Sequence, residues 1–187
     1  SNIDLVAGDI AGPLALTAGE TVHLEWTVAN RGTEACAGPW HDAIYLRNTV
    51  TGQLIAVDER LVGRAVTLIP GQLLPVAVDV RVPGGITADY EWVVVCNSRG
   101  DIFEGPNAAN NETAASRASS LTVPVLPLDG AAQAGRFQAQ EQAQWYQCTA
   151  PAGRDVRFAL NAANGVAELY VGRGFVPTVT DYTARYR

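Results

Sequence analysis

The 187-residue sequence contains no methionine and no lysine, so all 13 of its basic residues are arginine. Without Met, residue 1 does not read as a translation start, and the opening "SNIDLVAGDI" has neither the basic start nor the apolar centre of a secretory signal. The chain is therefore expected to be soluble and processed, or cut from something longer. No run approaches the roughly eighteen apolar residues of a membrane span. The 13 basic residues stand against 19 acidic ones, a net charge of −6. Arginine is never clustered, which removes the electrostatic footprint of a nucleic-acid binder. The three cysteines, Cys36, Cys96 and Cys148, form no C-x-x-C pair and have no histidine at metal-ligand spacing, which argues against a zinc site. One disulfide with one thiol left over is the simplest arithmetic. The arginine bias, with abundant Ala, Gly and Val, has the composition of a GC-rich bacterial coding sequence.

What is present is apolar alternation. Apolar residues make up 48% and charged residues 17%, the balance of an ordinary globular chain. In "TVHLEWTVAN", Val22, Leu24, Trp26 and Val28 share one face and His23, Glu25 and Thr27 the other, as in a strand with one wet face. "DAIYLRN", "LPVAVDVRV", "YEWVVVCN" and "SSLTVPV" repeat the pattern between Gly, Pro or Asn boundaries, and no segment has a convincing helical period. The expected fold is all-β: an antiparallel, immunoglobulin-like sandwich of about seven strands. The first domain is placed at 1–123, a linker at 124–130 in the Pro- and Asp-Gly-containing "TVPVLPLDGAA", and a second module at 131–187. In that module "AQWYQCTAP", "DVRFALNAA" and "VAELYVGRG" are expected strands, with Val156, Phe158 and Leu160 on one side. About sixty residues is near the lower limit for an independent core, so this half should lean on a neighbour, bind something or be incomplete.

One polar stretch, "DIFEGPNAANNET" at 101–113, raises three possibilities. Asp101, Glu104 and Asn107, with backbone carbonyls, could supply part of the oxygen shell of a calcium ion, although the strict acidic spacing of a calcium loop is missing. Asn111 heads an N-x-T sequon, which a bacterial origin argues against using. The third possibility is a structured connection between strands, for which Asn suits left-handed backbone and local hydrogen bonds. No other cofactor is implied. Catalysis is not expected. His23 lies on a wet face, His41 and Asp42 are neighbours that a strand points to opposite faces, and no nucleophile, metalloprotease or phosphate-loop motif occurs. Trp26, Trp40 and Trp92 read as core residues. Trp145 and Tyr146 share that reading, and an exposed aromatic on the second module would instead point to carbohydrate.

"DLVAGDI", "AGETVHLEWTVANRGT", Trp40 with Asp42 and "IYL", "LIPGQ", "VPGGITADYEWVVV" and "DIFEGPNAANN" follow one another in an order that resembles the bacterial cell-adhesion-related domain CARDB, over about residues 3 to 123. Cys96 departs from the family pattern, which often has an acidic residue there. "QWYQCTAPAGRDVRFAL" and "VAELYVGRGFVPTVTDY" resemble the start of the pre-peptidase C-terminal (PPC) domain, a small β-sandwich appended to secreted enzymes and surface proteins. That family's domain continues for several more strands than this sequence supplies. The resemblance to an immunoglobulin-like order would set the strands ending at Cys96 and beginning after Cys36 side by side, so that the two thiols could form a disulfide. It implies a non-catalytic extracellular or cell-surface module for adhesion, spacing or assembly, with protein partners that include self-association through sheet edges. The alternative is an accessory carbohydrate- or protein-binding module of a secreted hydrolase.

Overall fold

The computed structural model describes residues 2–187. Residues 2–123 form two packed sheets, antiparallel except where β2 joins β11. One sheet has the order β1 (Leu5–Ala11), β3 (Thr21–Asn30), β8 (Leu73–Arg81). The other runs β2 (Ala15–Thr17), β11 (Ser119–Thr122), β9 (Ala88–Val95), β5 (Trp40–Asn48), β6 (Leu54–Val62), with β10 (Glu112–Ala114) also on β9. The two-residue strands β4 (Cys36–Ala37) and β7 (Thr67–Leu68) pair at one end. The first strand of the chain divides between sheets, β1 joining β3 and β2 running parallel to β11. This is the immunoglobulin-like sandwich expected from the alternation.

Alternation fixes which side chains face the core. In β3, Val22, Leu24, Trp26 and Val28 are buried, and His23 and Glu25 are exposed between them. Trp26, Trp40, Trp92 and Tyr90 are all but fully buried between the sheets, as the sequence expects for the three tryptophans. Close packing leaves no room beside them. Gly63 sits in left-handed backbone, and a Cβ there would come within 2.6 Å of the Trp40 ring.

Strand β6 was not legible. Its "LIAVDERLV", not among the strands read from the sequence, opens in alternation and then carries Asp58, Glu59 and Arg60. The pairing slips at Ile44/Tyr45, so Ile44 stands opposite Asp58 and Tyr45 opposite Ala56. That bulge breaks the period.

The segment after residue 123 differs more. Val125 bridges Gln147, and the Gln147 side-chain amide donates to the Val123 carbonyl and to Thr87. The half-buried Trp145 joins the edge of the sandwich core and lies flat on Gly84, where a Cβ would fall 2.3 Å from the ring. Of the three strands expected here, only part of the last forms: β12 (Leu169–Val171) pairs antiparallel with β13 (Ala184–Tyr186). Residues 154–162 run without turn or bend but in no ladder. Along them Val156, Phe158 and Leu160 are half-buried while Asp155, Arg157 and Ala159 are exposed. The strand pattern is therefore present and its partner is not.

A Gly84→Val substitution should lift Trp145 off the sandwich. Amide hydrogen exchange should then speed up across 124–147 while β3, β5 and β9 stay protected. Equal acceleration throughout would mean that Trp145 is part of the global folding unit.

Candidate functional site

The polar stretch 97–113 forms the connection from β9 to β10, and its centre is a buried carboxylate. Glu104 is 2% exposed. Its Oε1 accepts the Leu5 backbone N–H at 2.6 Å, and its Oε2 accepts the side-chain amides of Asn97 at 2.6 Å and Asn111 at 2.7 Å. Asn97 is in left-handed backbone (φ 48°) and also bonds both backbone groups of Ile102, closing the turn. The 3-10 helix Gly105–Asn110 follows, with Pro106 in its first turn. From it, Asn107 donates to the Ile3 carbonyl and Asn110 to the Asp4 carboxylate. The stretch is a clasp between the β9–β10 connection and the first strand.

The three residues expected as calcium ligands are turned to three partners. Glu104 is taken by N–H donors and Asn107 by Ile3, while Asp101 accepts both the His41 backbone N–H at 2.8 Å and its Nδ1 at 2.7 Å. No cluster of three or more metal-ligating His, Cys, Asp or Glu occurs among the described residues.

Asp42 is the second buried acid. It is fully buried on β5, and its carboxylate accepts Trp26 Nε1 at 3.0 Å and the Asn97 backbone N–H at 3.1 Å. Arg60, opposite it on β6, is paired instead with Asp58 and the Asp79 carbonyl. Burial pushes the pKa of Asp42 up to about 6, against the pull of the Trp26 and Asn97 donors. The Cys96 thiol is raised by burial first and then by the neighbouring Asp42 carboxylate. Cys36 is also raised, by burial and then by Glu104.

Cys36 and Cys96 are both buried free thiols, and Cys148 is a free, half-buried one. The expected Cys36–Cys96 disulfide is not formed in this structure, although β5 and β9 pair antiparallel as the bridge required. Register explains it. Ala43 stands opposite Val95, which carries Cys96 to Asp42, six residues past Cys36. The chain turns at Gly38–Pro39, and Cys36 pairs instead with Leu68.

His41 and Asp101 make a His–carboxylate pair that the sequence, focused on Asp42, did not anticipate. This pair holds Asp101 below the usual carboxylate range. Ser98 donates its hydroxyl to the His41 carbonyl and to Glu59, not to the imidazole. Glu59 in turn holds Arg99. His23, on the wet face as expected, lies between Asp79 and Glu25, which raise its pKa. A groove of 210 Å³ beside Trp145 is lined by Arg81, Gln142, Gln144 and Tyr146. Arg81 is held there by the Gly19 carbonyl.

These features define an immunoglobulin-like β-sandwich with a strand-bearing appendage. No family model and no curated protein matches the sequence. Among solved structures the chain is similar to the CARDB domain of a Pyrococcus furiosus protein in complex with di-metal ions. The identity is 18%, with 65% of this chain and 90% of that one covered, and the TM-score is 0.45. It is also similar to a β-glucosidase from Listeria innocua in complex with glucose (13% identity, 64% of this chain, 16% of that one, TM-score 0.40). A β-glucosidase involved in saponin metabolism from intestinal bacteria gives 17% identity, 64% and 16% coverage and a TM-score of 0.41. The chain thus spans only about a sixth of the glucosidases.

Asp42 sets a pH dependence whose sign is fixed. Its folded pKa, about 6, lies above its ordinary 3.8. Between those values the folded chain holds a proton that the unfolded chain has lost, so stability falls as pH rises from about 4 to 6. The loss is on the order of 3 kcal/mol. Urea unfolding of the wild type should show that slope, and Asp42→Asn should flatten it. Parallel profiles would remove Asp42 as its source. Glu104→Ala leaves three buried N–H groups unpaired and should cost roughly 3–5 kcal/mol in the same assay.

Proposed function

We propose that the chain is a non-catalytic structural module of a bacterial cell-surface or extracellular assembly. In this reading the rigid sandwich carries the appended segment, and that segment joins the assembly by accepting a strand. One observation supports this above the others: residues 154–162 keep the in-and-out burial of a sheet strand, yet among the described residues their backbone joins no ladder, the one bond being the turn closed by Arg154 N–H on the Pro151 carbonyl. A row of free backbone N–H and C=O groups beside half-buried Val156, Phe158 and Leu160 is a template for β-augmentation. The β12–β13 hairpin adds to it. Ala184, Arg185 and Tyr186 are all exposed, and a two-stranded hairpin is marginal unless something covers it.

Light scattering over a concentration series, with and without calcium, tests the reading. The wild type should gain mass with concentration, and Phe158→Asp, which puts a charge on the apolar side of the strand, should not. A wild type that stays monomeric throughout, with 154–162 exchanging freely, would end it.

A second reading, an accessory carbohydrate-binding module, is favoured by Tyr146, Tyr182 and Tyr186, which are 41%, 37% and 62% exposed. Tyr182 also carries the Arg185 guanidinium 5.6 Å from its ring centre and packs edge-on to Tyr170. It expects retention on insoluble polysaccharide that Tyr186→Ala abolishes. No retention would leave assembly alone.

A further inference from the structure

Four edge strands of the sandwich, β6, β8, β1 and β2, are each blunted. On β6, Asp58 and Arg60 stand opposite Ile44 and Asp42 and so share the core-side face of the sheet; they form an ion pair at 2.7 Å. Arg60 also donates to the Asp79 carbonyl of β8 at 2.8 Å, tying the two free edges together. The bulge at Ile44/Tyr45 twists the same strand. β8 carries Pro75, which has no N–H to offer. β1 loses register between Gly8 and Ala11, where Asp9 is in left-handed backbone (φ 48°), and β2 is three residues long. Inward charge, proline, bulges and short strands are the devices that keep sheet edges from pairing. Residues 154–162 have none of them. The run contains no proline, and no charge interrupts its apolar side between Val156 and Leu160.

The geometry points to a second copy of this chain as the partner, paired antiparallel with 154–162 about a two-fold axis through Phe158. This inference rests on the assembly reading above and names its partner. The nine residues are symmetric about Phe158 in the features that matter. Val156 would face Leu160 of the other copy, Phe158 would face Phe158, and the half-buried side of each strand would continue into the other. On the exposed side Asp155 would meet Asn161, a carboxylate acceptor against an amide donor, at both ends of the ladder. Arg157 would meet Ala159, where no like charge opposes it. Moving the axis by one residue to Arg157 sets the two Arg157 side chains directly opposite each other. Such a pairing is isologous: the same nine residues of each copy supply one edge to the other, giving a two-stranded antiparallel ribbon across the two-fold axis.

The register is read by disulfide trapping in a Cys148→Ser background, which leaves Cys36 and Cys96 buried. One preparation carries Arg157→Cys and the other Ala159→Cys, both on the exposed side, where neither disturbs packing. Direct cross-strand neighbours have Cβ atoms about 5 Å apart, close to disulfide reach, whereas the like pairs 157–157 and 159–159 are diagonal at about 7–8 Å. Mixing the two under mild oxidation should give the 157–159 heterodimer well beyond its statistical share. If light scattering shows association that depends on Phe158 but trapping is statistical, or favours either homodimer, the two-fold at Phe158 is wrong and strand assembly stands. If no association occurs at any concentration, both readings fall together.

Discussion

The sandwich depends on a carboxylate that has no cation. A buried carboxyl group is tolerable only when hydrogen bonds replace the solvent it has lost. Glu104 accepts three hydrogen bonds of 2.6 to 2.7 Å, and each comes from a different part of the chain: Leu5 at the start of β1, Asn97 just after β9 and Asn111 just before β10. Because donors must converge on two oxygens, the first strand and the β9–β10 connection cannot shift independently. Asp42 repeats the arrangement one step further in. It takes Trp26 from the opposite sheet and Asn97 from the same turn, so Asn97 couples both acids. The two sheets are thereby joined by polar contacts as well as by the tryptophans between them.

These constraints explain which features could be read from sequence. Strand β3 was legible residue by residue, because one face of it is buried and the other wet, and period two is the direct consequence. The same holds for β8 and β11, whereas β5 buries Asp42, Ala43 and Ile44 in a row and β9 buries Trp92, Val93 and Val94, so those two were legible as strands but not as one-faced ones. The clasp was visible as a polar stretch but its chemistry was open. Nothing in "DIFEGPNAANN" says whether Glu104 will meet a cation or three amides, since that depends on Leu5 arriving from 99 residues away. His41 with Asp101 is of the same kind, a pair 60 residues apart that no local motif announces. The cysteines show how finely register matters. The right strands pair, yet Cys96 is delivered to Asp42 and not to Cys36.

The second half is legible in a different sense. Alternation in "RDVRFALNA" is a property of the sequence, and the structure keeps it as alternating burial, but a strand becomes a sheet only through a neighbour's N–H and C=O groups. Trp145 and Gln147 show that the part of the segment close to the sandwich does find a surface, because Gly84 leaves a flat place for the indole and Thr87 a partner for the amide. Further along, β12 and β13 find only each other.

The contrast between the two halves bears on how such a chain can associate without aggregating. An edge that pairs with anything is a hazard, and the sandwich spends an inward ion pair, a bulge and a proline on closing its own edges. Those devices have a cost in sheet regularity, since Asp58 and Arg60 occupy core-side positions that apolar residues could fill. In the assembly reading proposed above, a chain that guards four sandwich edges in this way and leaves one nine-residue strand unguarded would direct strand addition to that place. Specificity then comes from what is forbidden elsewhere as much as from what the open strand attracts.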